Sequence, residues 1–337
     1  MDGSLGKLLA EANISLGRLD VMGYLLPNVE HIIAMYVQKE ALLSSQIEGT
    51  QASMEDLFEY ESNLPIKNIQ DVEEVVNYIK ALNHGLKRLE EFPMSIRLIK
   101  EVHHILLTDT RGREKTPGEF KRSQNWIGPA GSSLKNASFV PPPPSEALHA
   151  MGELELYMHK EENLPILIVA ALIHNQFETI HPFLDGNGRL GRLLITFYLC
   201  WKKVMQKPLL YLSYYFKLHR QEYYDRLNLV REQGEYEQWI QFFLKGILWT
   251  SEDALRTIKK VLALADNHKK LLIQKKIASP MAIALLDHLF IKPHVSVQEI
   301  TASLEISYTT AQPLINQFRD LDILREVTGL KRNRRFS

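Results

Sequence analysis

Apolar positions recur every three or four residues along most of the chain, and this period predicts α-helices. One helix is expected from about residue 29 to residue 48, with Asn28 as its N-cap and Gly49 as its C-terminal stop. Further helices are expected near 70–91, 95–107, 145–160, 165–180, 189–201, 217–233 and 235–262. The hydrophobic pattern therefore predicts an all-α protein.

The stretch from 109 to 144 interrupts this pattern, because it is rich in Gly, Pro and Ser and has few apolar residues in register. It predicts a loop or a small β-hairpin on the surface of the helical body. Long irregular segments in compact domains are often lids or binding loops, so this stretch is a candidate part of a functional site.

After about residue 278 the pattern changes to three short helices and a C-terminal stretch that predicts a small β-wing. This arrangement resembles a winged helix-turn-helix, with Thr309 as the cap of its third helix. That helix offers Asn316, Gln317 and Arg319 for base contacts. The tail adds a small basic patch composed of Lys331, Arg332, Arg334 and Arg335. Two roles stay open for this module, DNA binding and protein interaction or dimerisation.

Composition narrows the protein class. The 337 residues include 40 basic and 40 acidic side chains, so any nucleic-acid contact would need a local basic patch. A hydrophobic share of 45% at this length predicts a globular protein of two or three domains. The single cysteine, Cys200, excludes a disulfide framework within this chain. Neither a signal peptide nor a membrane-spanning run is recognisable, so a cytoplasmic location without membrane contact is expected.

A polar, glycine-rich stretch, HPFLDGNGRLGR at 181–192, lies between two apolar segments that predict helices. Gly186, Gly188 and Gly191 match the G-x-G-x-x-G pattern of dinucleotide-binding folds. That fold would need a strand before the glycines and an acidic residue about 20 positions after them. The preceding segment predicts a helix, and MQKPLLYLSYY lies where the acidic residue should be. The dinucleotide interpretation is therefore rejected.

The chemistry of this stretch still indicates an anion site. A glycine-rich turn that leads into a helix exposes backbone N–H groups, and the helix dipole adds positive potential. Arg189 and Arg192 lie one turn apart on that helix, and two guanidinium groups suit a polyphosphate. Asp185 fits such a site if Mg²⁺ lies between its carboxylate and the phosphates. His181, at the rim, could take a proton from an incoming hydroxyl group.

HPFLDGNGRLGR resembles the signature of the Fic family, H-P-F-x-[D/E]-G-N-G-R-x-x-R, and matches it at every fixed position. The resemblance extends from about residue 15 to residue 250. It implies an all-α core that transfers AMP from ATP to a Ser, Thr or Tyr hydroxyl group of a target protein.

The resemblance also implies a role for each residue of the motif. His181 would be the general base, Asp185 would hold Mg²⁺ on the phosphates, and Phe183 would anchor the loop in the core. The backbone at 186–188 would form the anion hole, and the two arginines would contact the outer phosphates. The nucleotide contacts implied for the motif besides Asp185 are Gly186, Asn187, Gly188, Arg189, Leu190, Gly191 and Arg192.

Two further segments resemble parts of the nucleotide site in this family. The stretch 109–144 resembles the flap, a hairpin over the active site, and EYYDRLNLVREQGEYEQWIQFFL resembles the helix beside the adenine pocket. Only one of the two adjacent tyrosines in that helix need face the ligand. The ATP contacts implied for these segments are Asn136, Ala137, Ser138, Phe139, Tyr223, Tyr224 and Arg231.

A second motif lies upstream, where Ser44 and Glu48 precede Gly49 in the pattern S-x-x-x-E-G. Glu48 at a helix C-terminus opposes the helix dipole, at a cost of about 0.3–1 kcal/mol if exposed, so a cationic partner is expected. The pattern resembles the inhibitory motif of the Fic family. In that interpretation Glu48 forms a salt bridge with Arg192 and keeps it from the γ-phosphate of ATP.

The expected domains are a helical segment with the inhibitory motif at 1–92, a Fic core at 93–262 and a winged helix-turn-helix at 263–337. The leading hypothesis is a protein adenylyltransferase inhibited by Glu48. The alternatives are an enzyme that removes AMP or does both, a DNA-binding regulator with a nucleotide-sensing core, and transfer of another phosphate-containing group. The expected cofactors are ATP and Mg²⁺. The expected partners are a target protein, a second copy of this chain, as substrate or in a homodimer, and DNA.

Overall fold

The computed structural model describes residues 3–25, 29–61, 64–128, 131–160, 163–290, 292–329 and 334–337. Asn28, Lys331 and Arg332, which the sequence singled out, lie outside these residues. The chain divides into two compact units. One consists of Met1–Val29 and Tyr36–Ala254, and the other consists of Glu30–Met35 and Leu255–Ser337.

The larger unit is built from helices, which confirms the prediction of an all-α fold. Its helices are α1 (Gly3–Leu25), α2 (Val29–Ile47), α3 (Met54–Glu61), α4 (Ile69–Glu91), α5 (Ile96–Leu107), α6 (Pro144–His159), α7 (Ile166–Ile180), α8 (Asn187–Trp201), α9 (Leu212–Leu218), α10 (Arg220–Gln233) and the first part of α11 (Tyr236–Gln274). Within the described residues, no helix is long and apolar enough to cross a membrane.

Two buried helices form the centre of this unit. α7 and α8 pack against each other, and α8 also packs against α4 and α5. Pro165 precedes α7, whose apolar run buries Ile173 and Phe177, and α8 buries Leu190 and Phe197. The turn between α7 and α8 and the first turns of α8 carry the polar motif, so the motif is held by two largely buried helices.

The segment between α5 and α6 is irregular and contains a minimal hairpin. Ile127 and Phe139 form an antiparallel bridge through backbone hydrogen bonds of 2.8 and 3.1 Å. Between them lies a short 3-10 turn, Leu134–Asn136. We call residues 126–140 the flap hairpin.

The smaller unit has a core of its own. It contains α12 (Pro280–Leu289), β1 (Val295–Ser296), α13 (Val297–Ser303), α14 (Tyr308–Asp320) and β2 (Arg335–Phe336). β1 and β2 pair antiparallel, with Val295 opposite Phe336. Ser307, and not Thr309, caps α14, because its hydroxyl group accepts the N–H of Thr310. A winged helix-turn-helix stays a prediction for this unit.

Candidate active site

The motif turn is closed by the side chain of Asn187. His181 ends α7 in the left-handed region (φ 47°, ψ 60°), and Gly186 precedes α8 at φ 76°. Between them the Asn187 Oδ1 atom accepts the N–H of Phe183 at 2.9 Å, and its Nδ2 atom donates to the Phe183 carbonyl at 2.8 Å. Both ends of the amide are therefore used inside the turn, and Asn187 can offer a ligand only its backbone N–H.

Phe183 and His103 fix the turn to α5. The Phe183 ring is fully buried and stacks on His103, with 3.7 Å between the ring centroids. His103 Nδ1 accepts the N–H of Gly118 at 2.8 Å, so Nε2 carries the proton and donates to the Asp185 carbonyl at 3.0 Å. Burial lowers the pKa of His103 to about 4, which keeps this ring neutral. The sequence shows only two adjacent histidines in an apolar helix, so the role of His103 was missed.

His181 is poised as a neutral imidazole. Its Nδ1 atom is buried and has no hydrogen-bond partner among the described residues. Burial is the main cause that lowers its pKa, and the charges of Arg231 and Lys121 lower it further, to about 3. A neutral ring keeps a free lone pair at physiological pH, as a proton acceptor requires.

Lys121 and Asn125 hold the end of α7 from the irregular segment. The buried Lys121 Nζ atom donates to Asn125 Oδ1 at 2.8 Å and to the Ile180 carbonyl at 3.4 Å. Asn125 Nδ2 in turn donates to the carbonyl groups of His181, at 3.1 Å, and Phe183, at 2.7 Å. Burial lowers the pKa of Lys121 to about 8. These contacts span more than 50 residues of sequence, and nothing in the local pattern signals them.

Arg192 is bound by residues at the C-terminal end of α2. Its Nε atom donates to Ser44 Oγ at 2.7 Å, and its Nη2 atom donates to the Ser44 carbonyl at 2.9 Å and to Glu48 Oε1 at 2.7 Å. Arg192 is 2% exposed, whereas 37% of the Glu48 side chain remains exposed, so water screens the pair from one side. Burial opposes ionisation of Glu48, but the charge and hydrogen bond of Arg192 hold the pKa of Glu48 below its ordinary value.

Arg189 faces an anion site with unused donors. It is 5% exposed, and its Nε and Nη1 atoms have no hydrogen-bond partner among the described residues. Its nearest counter-charge is Glu74 of α4, at 3.6 Å from Nη1. Glu74 also accepts from Arg111 Nε at 2.7 Å and from Thr50 Oγ1 at 2.9 Å. Buried guanidinium donors without acceptors fit an anionic ligand. Glu74 and Arg111 were not anticipated from the sequence.

Asp185 could contribute one oxygen ligand to a cation. It is exposed, and its Oδ1 atom accepts the N–H of Gly186 at 2.7 Å. The described part of the chain contains no group of three or more His, Cys, Asp or Glu side chains that could hold a metal by themselves. A single carboxylate fits Mg²⁺ that takes its other ligands from phosphates and water.

The other motif residues differ in what they present. Leu190 is fully buried in the core of α8 and offers no side chain to a ligand. Gly188 lies against the Glu48 carboxylate, which a Cβ atom at this position would overlap. Gly191 uses its carbonyl group to accept a hydrogen bond from His174 Nδ1 at 2.9 Å. The motif backbone is thus tied to α2 and α7.

The two adjacent tyrosines of α10 have different surroundings. Tyr223 is 1% exposed and its hydroxyl group donates to His174 Nε2 at 2.9 Å, because Nδ1 of that ring already donates to Gly191. Tyr224 is half-buried, with Arg220 at 5.6 Å from its ring centroid. Tyr224 is therefore the one of the two that can present its ring to a ligand.

Arg231 connects α10 to the flap hairpin. Its guanidinium group lies 4.0 Å from the Phe139 ring centroid and donates to the Glu178 carbonyl at 3.0 Å. Asn136 accepts from the N–H and hydroxyl group of Ser133, so its side chain stabilises the 3-10 turn. Ser138 is exposed and Ala137 half-buried beside it. Phe139 is thus the flap residue that the structure brings to the α7–α10 side of the site.

Comparison with protein family models shows which family the chain belongs to. The N-terminal model of the Fic/DOC family matches residues 6–87, and the Fic/DOC model itself matches residues 93–199, which include the whole motif. The chain belongs to the Fic/DOC family. The two Fic matches cover α1 to α8. Residues 200–337 lie outside both matches.

Curated Fic relatives and solved Fic structures extend this result. The chain is 27% identical over 229 residues to the protein adenylyltransferase Fic of Drosophila yakuba, covering 64% of this chain and 43% of the relative. It is 27% identical over 242 residues to the protein of the same name from Aedes aegypti, covering 69% and 42%. The chain thus spans less than half the length of these relatives.

The fold is shared with solved Fic structures at low identity. A Fic family protein from Desulfovibrio desulfuricans G20 matches 100% of this chain and 96% of its own at a TM-score of 0.65 and 18% identity. Fic-1 of C. elegans, residues 134–508, matches 76% and 74% at a TM-score of 0.58 and 19% identity. These structural similarities show that the chain shares the fold of the Fic proteins.

Proposed function

We propose that this protein is an adenylyltransferase that moves AMP from ATP to a hydroxyl group of a protein side chain. The observation that carries the proposal is the pairing of two groups at one turn. Arg189 offers buried guanidinium donors without acceptors among the described residues, and the half-buried His181 offers a neutral imidazole with a buried Nδ1 atom. An anion site alone would not need the base, and the curated Fic relatives carry the name protein adenylyltransferase.

In the proposed reaction the imidazole of His181 takes the proton of the target hydroxyl group. The hydroxyl oxygen then forms a bond to the α-phosphorus of ATP, the bond to the bridging oxygen breaks, and pyrophosphate leaves. The backbone N–H groups at 186–188 and the guanidinium group of Arg189 bind the phosphate oxygens. Bound at Asp185, Mg²⁺ would neutralise phosphate charge.

The proposal includes inhibition by α2. The Nε and Nη2 atoms of Arg192 donate to Ser44 and Glu48, so these two atoms are not available to the outer phosphates. The Glu48 carboxylate also lies against Gly188, where it adds negative charge at the predicted anion hole. A ligand phosphate must therefore displace Glu48 or bind away from Arg192.

Incubation with α-labelled ATP tests the proposal. We expect Glu48→Gly to raise labelling of protein strongly above wild type, because Arg192 is released, and His181→Ala to abolish labelling in that background. Glu114→Gly is the matched control, since Glu114 is exposed in a turn of the irregular segment. Label from γ-labelled ATP would indicate phosphorylation and would overturn the proposal, as would a Glu48→Gly variant that labels no more than wild type.

We further propose a cytoplasmic location and self-modification or a homodimer as additional partnerships. For the smaller unit DNA contact and protein interaction both stay proposals.

A further inference from the structure

A buried carboxyl group beside the motif has no role in the mechanism above. Glu178 lies in α7, three residues before His181, and is 5% exposed. Its Oε1 atom has no hydrogen-bond partner among the described residues. Such an atom is costly to bury, so its retention calls for an explanation.

Glu178 packs against the backbone of α8 next to Arg192. A Cβ atom on Gly191 would overlap the Glu178 Oε1 atom and would lie 3.3 Å from its Cδ atom. A side chain at position 191 would therefore have to displace this carboxyl group. Because Gly191 directly precedes Arg192, the carboxyl group is close to the base of the arginine that Glu48 binds.

The charged and titratable groups that act on Glu178 come from three other helices: Glu48 of α2, Arg192 of α8, and Arg231, Tyr223 and Tyr224 of α10. Burial has the largest effect and raises the pKa of Glu178 to about 7. The like charge of Glu48 acts in the same direction, and the two arginines oppose it. The Glu178 carboxyl group is therefore partly neutral in the state in which Glu48 binds Arg192.

Arg192 depends on α2 for its partners. All its recorded acceptors belong to Ser44 and Glu48, and a guanidinium group that is 2% exposed cannot turn to water. Displacement of Glu48 leaves a buried cation short of its counter-charge, which is strongly unfavourable. A replacement must come from groups that are already near.

The other nearby groups are occupied. Glu40 of α2 accepts the N–H and hydroxyl group of Ser213 and the hydroxyl group of Tyr78. Arg231, the other cation near Glu178, donates to Thr179, Asn228 and the Glu178 carbonyl. The unpartnered Glu178 oxygen is thus free to accept from Arg192.

We propose that Glu178 is a positioning residue for Arg192: when Glu48 leaves the guanidinium group, Glu178 releases its carboxyl proton to solvent and becomes the partner that keeps Arg192 beside the motif turn. This rests on the proposed inhibition by Glu48. Removing the negative charge of Glu48 favours the ionised form of Glu178. The departure of Glu48 from Arg192 and the ionisation of its replacement, Glu178, are therefore coupled. Arg192 then stays beside the motif turn, and the side of its guanidinium group that Glu48 had bound becomes available to phosphate.

The ionisation of Glu178 can be measured on the full chain without ATP. Protein with ¹³C-labelled glutamate carboxyl groups is titrated by NMR, and the Glu178 resonance is assigned by its absence in Glu178→Gln. We expect a midpoint near 7 in wild type and a clearly lower midpoint in Glu48→Gly. In Glu48→Gly/Arg192→Met the midpoint should return to the wild-type value or above it. The same midpoint in wild type and Glu48→Gly would overturn the proposal.

Steady-state kinetics supply a second readout. In the Glu48→Gly background, Glu178→Gln should raise KM for ATP about tenfold, with a smaller change in kcat, because Arg192 is no longer held at the outer phosphates. Glu305→Gln in the same background is the control, because Glu305 is exposed in a turn of the smaller unit, and it should change neither value. An unchanged KM would contradict the proposal. If Glu48→Gly transfers no AMP, the proposed function fails, and the carboxyl titration still decides the role of Glu178.

Discussion

At the scale of single residues, the site depends on side chains that hold the backbone. The signature made His181, Asp185 and the two motif arginines predictable from sequence, because their residue types and spacing are fixed. Lys121, Glu74 and Glu178 were not predictable. Their significance arises only when chain segments tens of residues apart meet, and each looks locally like an ordinary charged residue.

Asn187→Ala tests the closure of the motif turn. The Phe183 N–H loses its only recorded acceptor, whereas the Phe183 carbonyl keeps Asn125. We expect a loss of about 1–3 kcal/mol in the free energy of unfolding, the usual cost of one unpaired buried group. Denaturant unfolding measures this. AMP transfer in the Glu48→Gly background should fall as well.

Asn13→Ala provides the comparison, since Asn13 is exposed and its amide donates only to Leu9 of its own helix. It should leave stability and labelling unchanged. Equal stability of wild type and Asn187→Ala would show that the turn does not need the amide.

At the scale of helices, one face of α2 carries the residues proposed to inhibit the enzyme. Glu40, Ser44 and Glu48 follow each other at four-residue steps, so all three point toward the same side. Glu40 binds Ser213 at the start of α9, and the other two bind Arg192 of α8. The helix is thus attached to the core at two positions, only one of which is the inhibitory salt bridge.

Ser44→Ala separates the two contributions to inhibition. It removes the acceptor of Arg192 Nε at 2.7 Å and leaves the Glu48 bond in place. We expect labelling with α-labelled ATP at a rate between those of wild type and Glu48→Gly, because hydrogen bonds to charged groups contribute about 1.5–3 kcal/mol. Ser45→Ala is the neighbouring control, since the Ser45 hydroxyl group has no partner among the described residues. A rate equal to that of wild type would show that Glu48 inhibits alone.

Element boundaries show where sequence periodicity succeeds and where it fails. α7 and α8 follow the expected ranges, because proline, glycine and a continuous apolar run mark their ends. A single helix expected near 217–233 is instead α9 and α10, separated at His219. α11 continues to Gln274, beyond the expected end at 262, since neither glycine nor proline interrupts it there. α1 was not anticipated.

At the scale of the whole molecule, 40 basic and 40 acidic side chains balance, whereas residues 255–337 of the smaller unit carry 14 basic and seven acidic side chains. Four arginines of that unit lie close to an acid: Arg319 to Asp320 at 3.3 Å, Arg325 to Asp322 at 4.0 Å, Arg334 to Glu326 at 3.4 Å and Arg335 to Glu299 at 3.4 Å. A DNA phosphate would have to compete with these carboxylates. For these four arginines, the pairing favours contact with a protein over contact with DNA phosphates.

A mobility-shift assay of the full chain on duplex DNA at several salt concentrations tests this. Contacts through two freed arginines would give a slope of about −2 for log K against log salt, at about −0.9 per phosphate. We expect no shift near physiological salt. A shift with a steeper slope, lost in Arg319→Gln, would establish DNA binding and contradict the preference for a protein partner.

The closed motif turn has a consequence for how the protein ages. Asn187 followed by Gly188 is the dipeptide most prone to deamidation in flexible chains, where the glycine nitrogen attacks the side-chain amide. Here that amide is held at both ends by Phe183, and Gly188 lies in the first turn of α8. The attack requires the turn to open, so the folded state protects the chemical integrity of its own motif. Loss of asparagine at this position during storage therefore reports how often the turn opens.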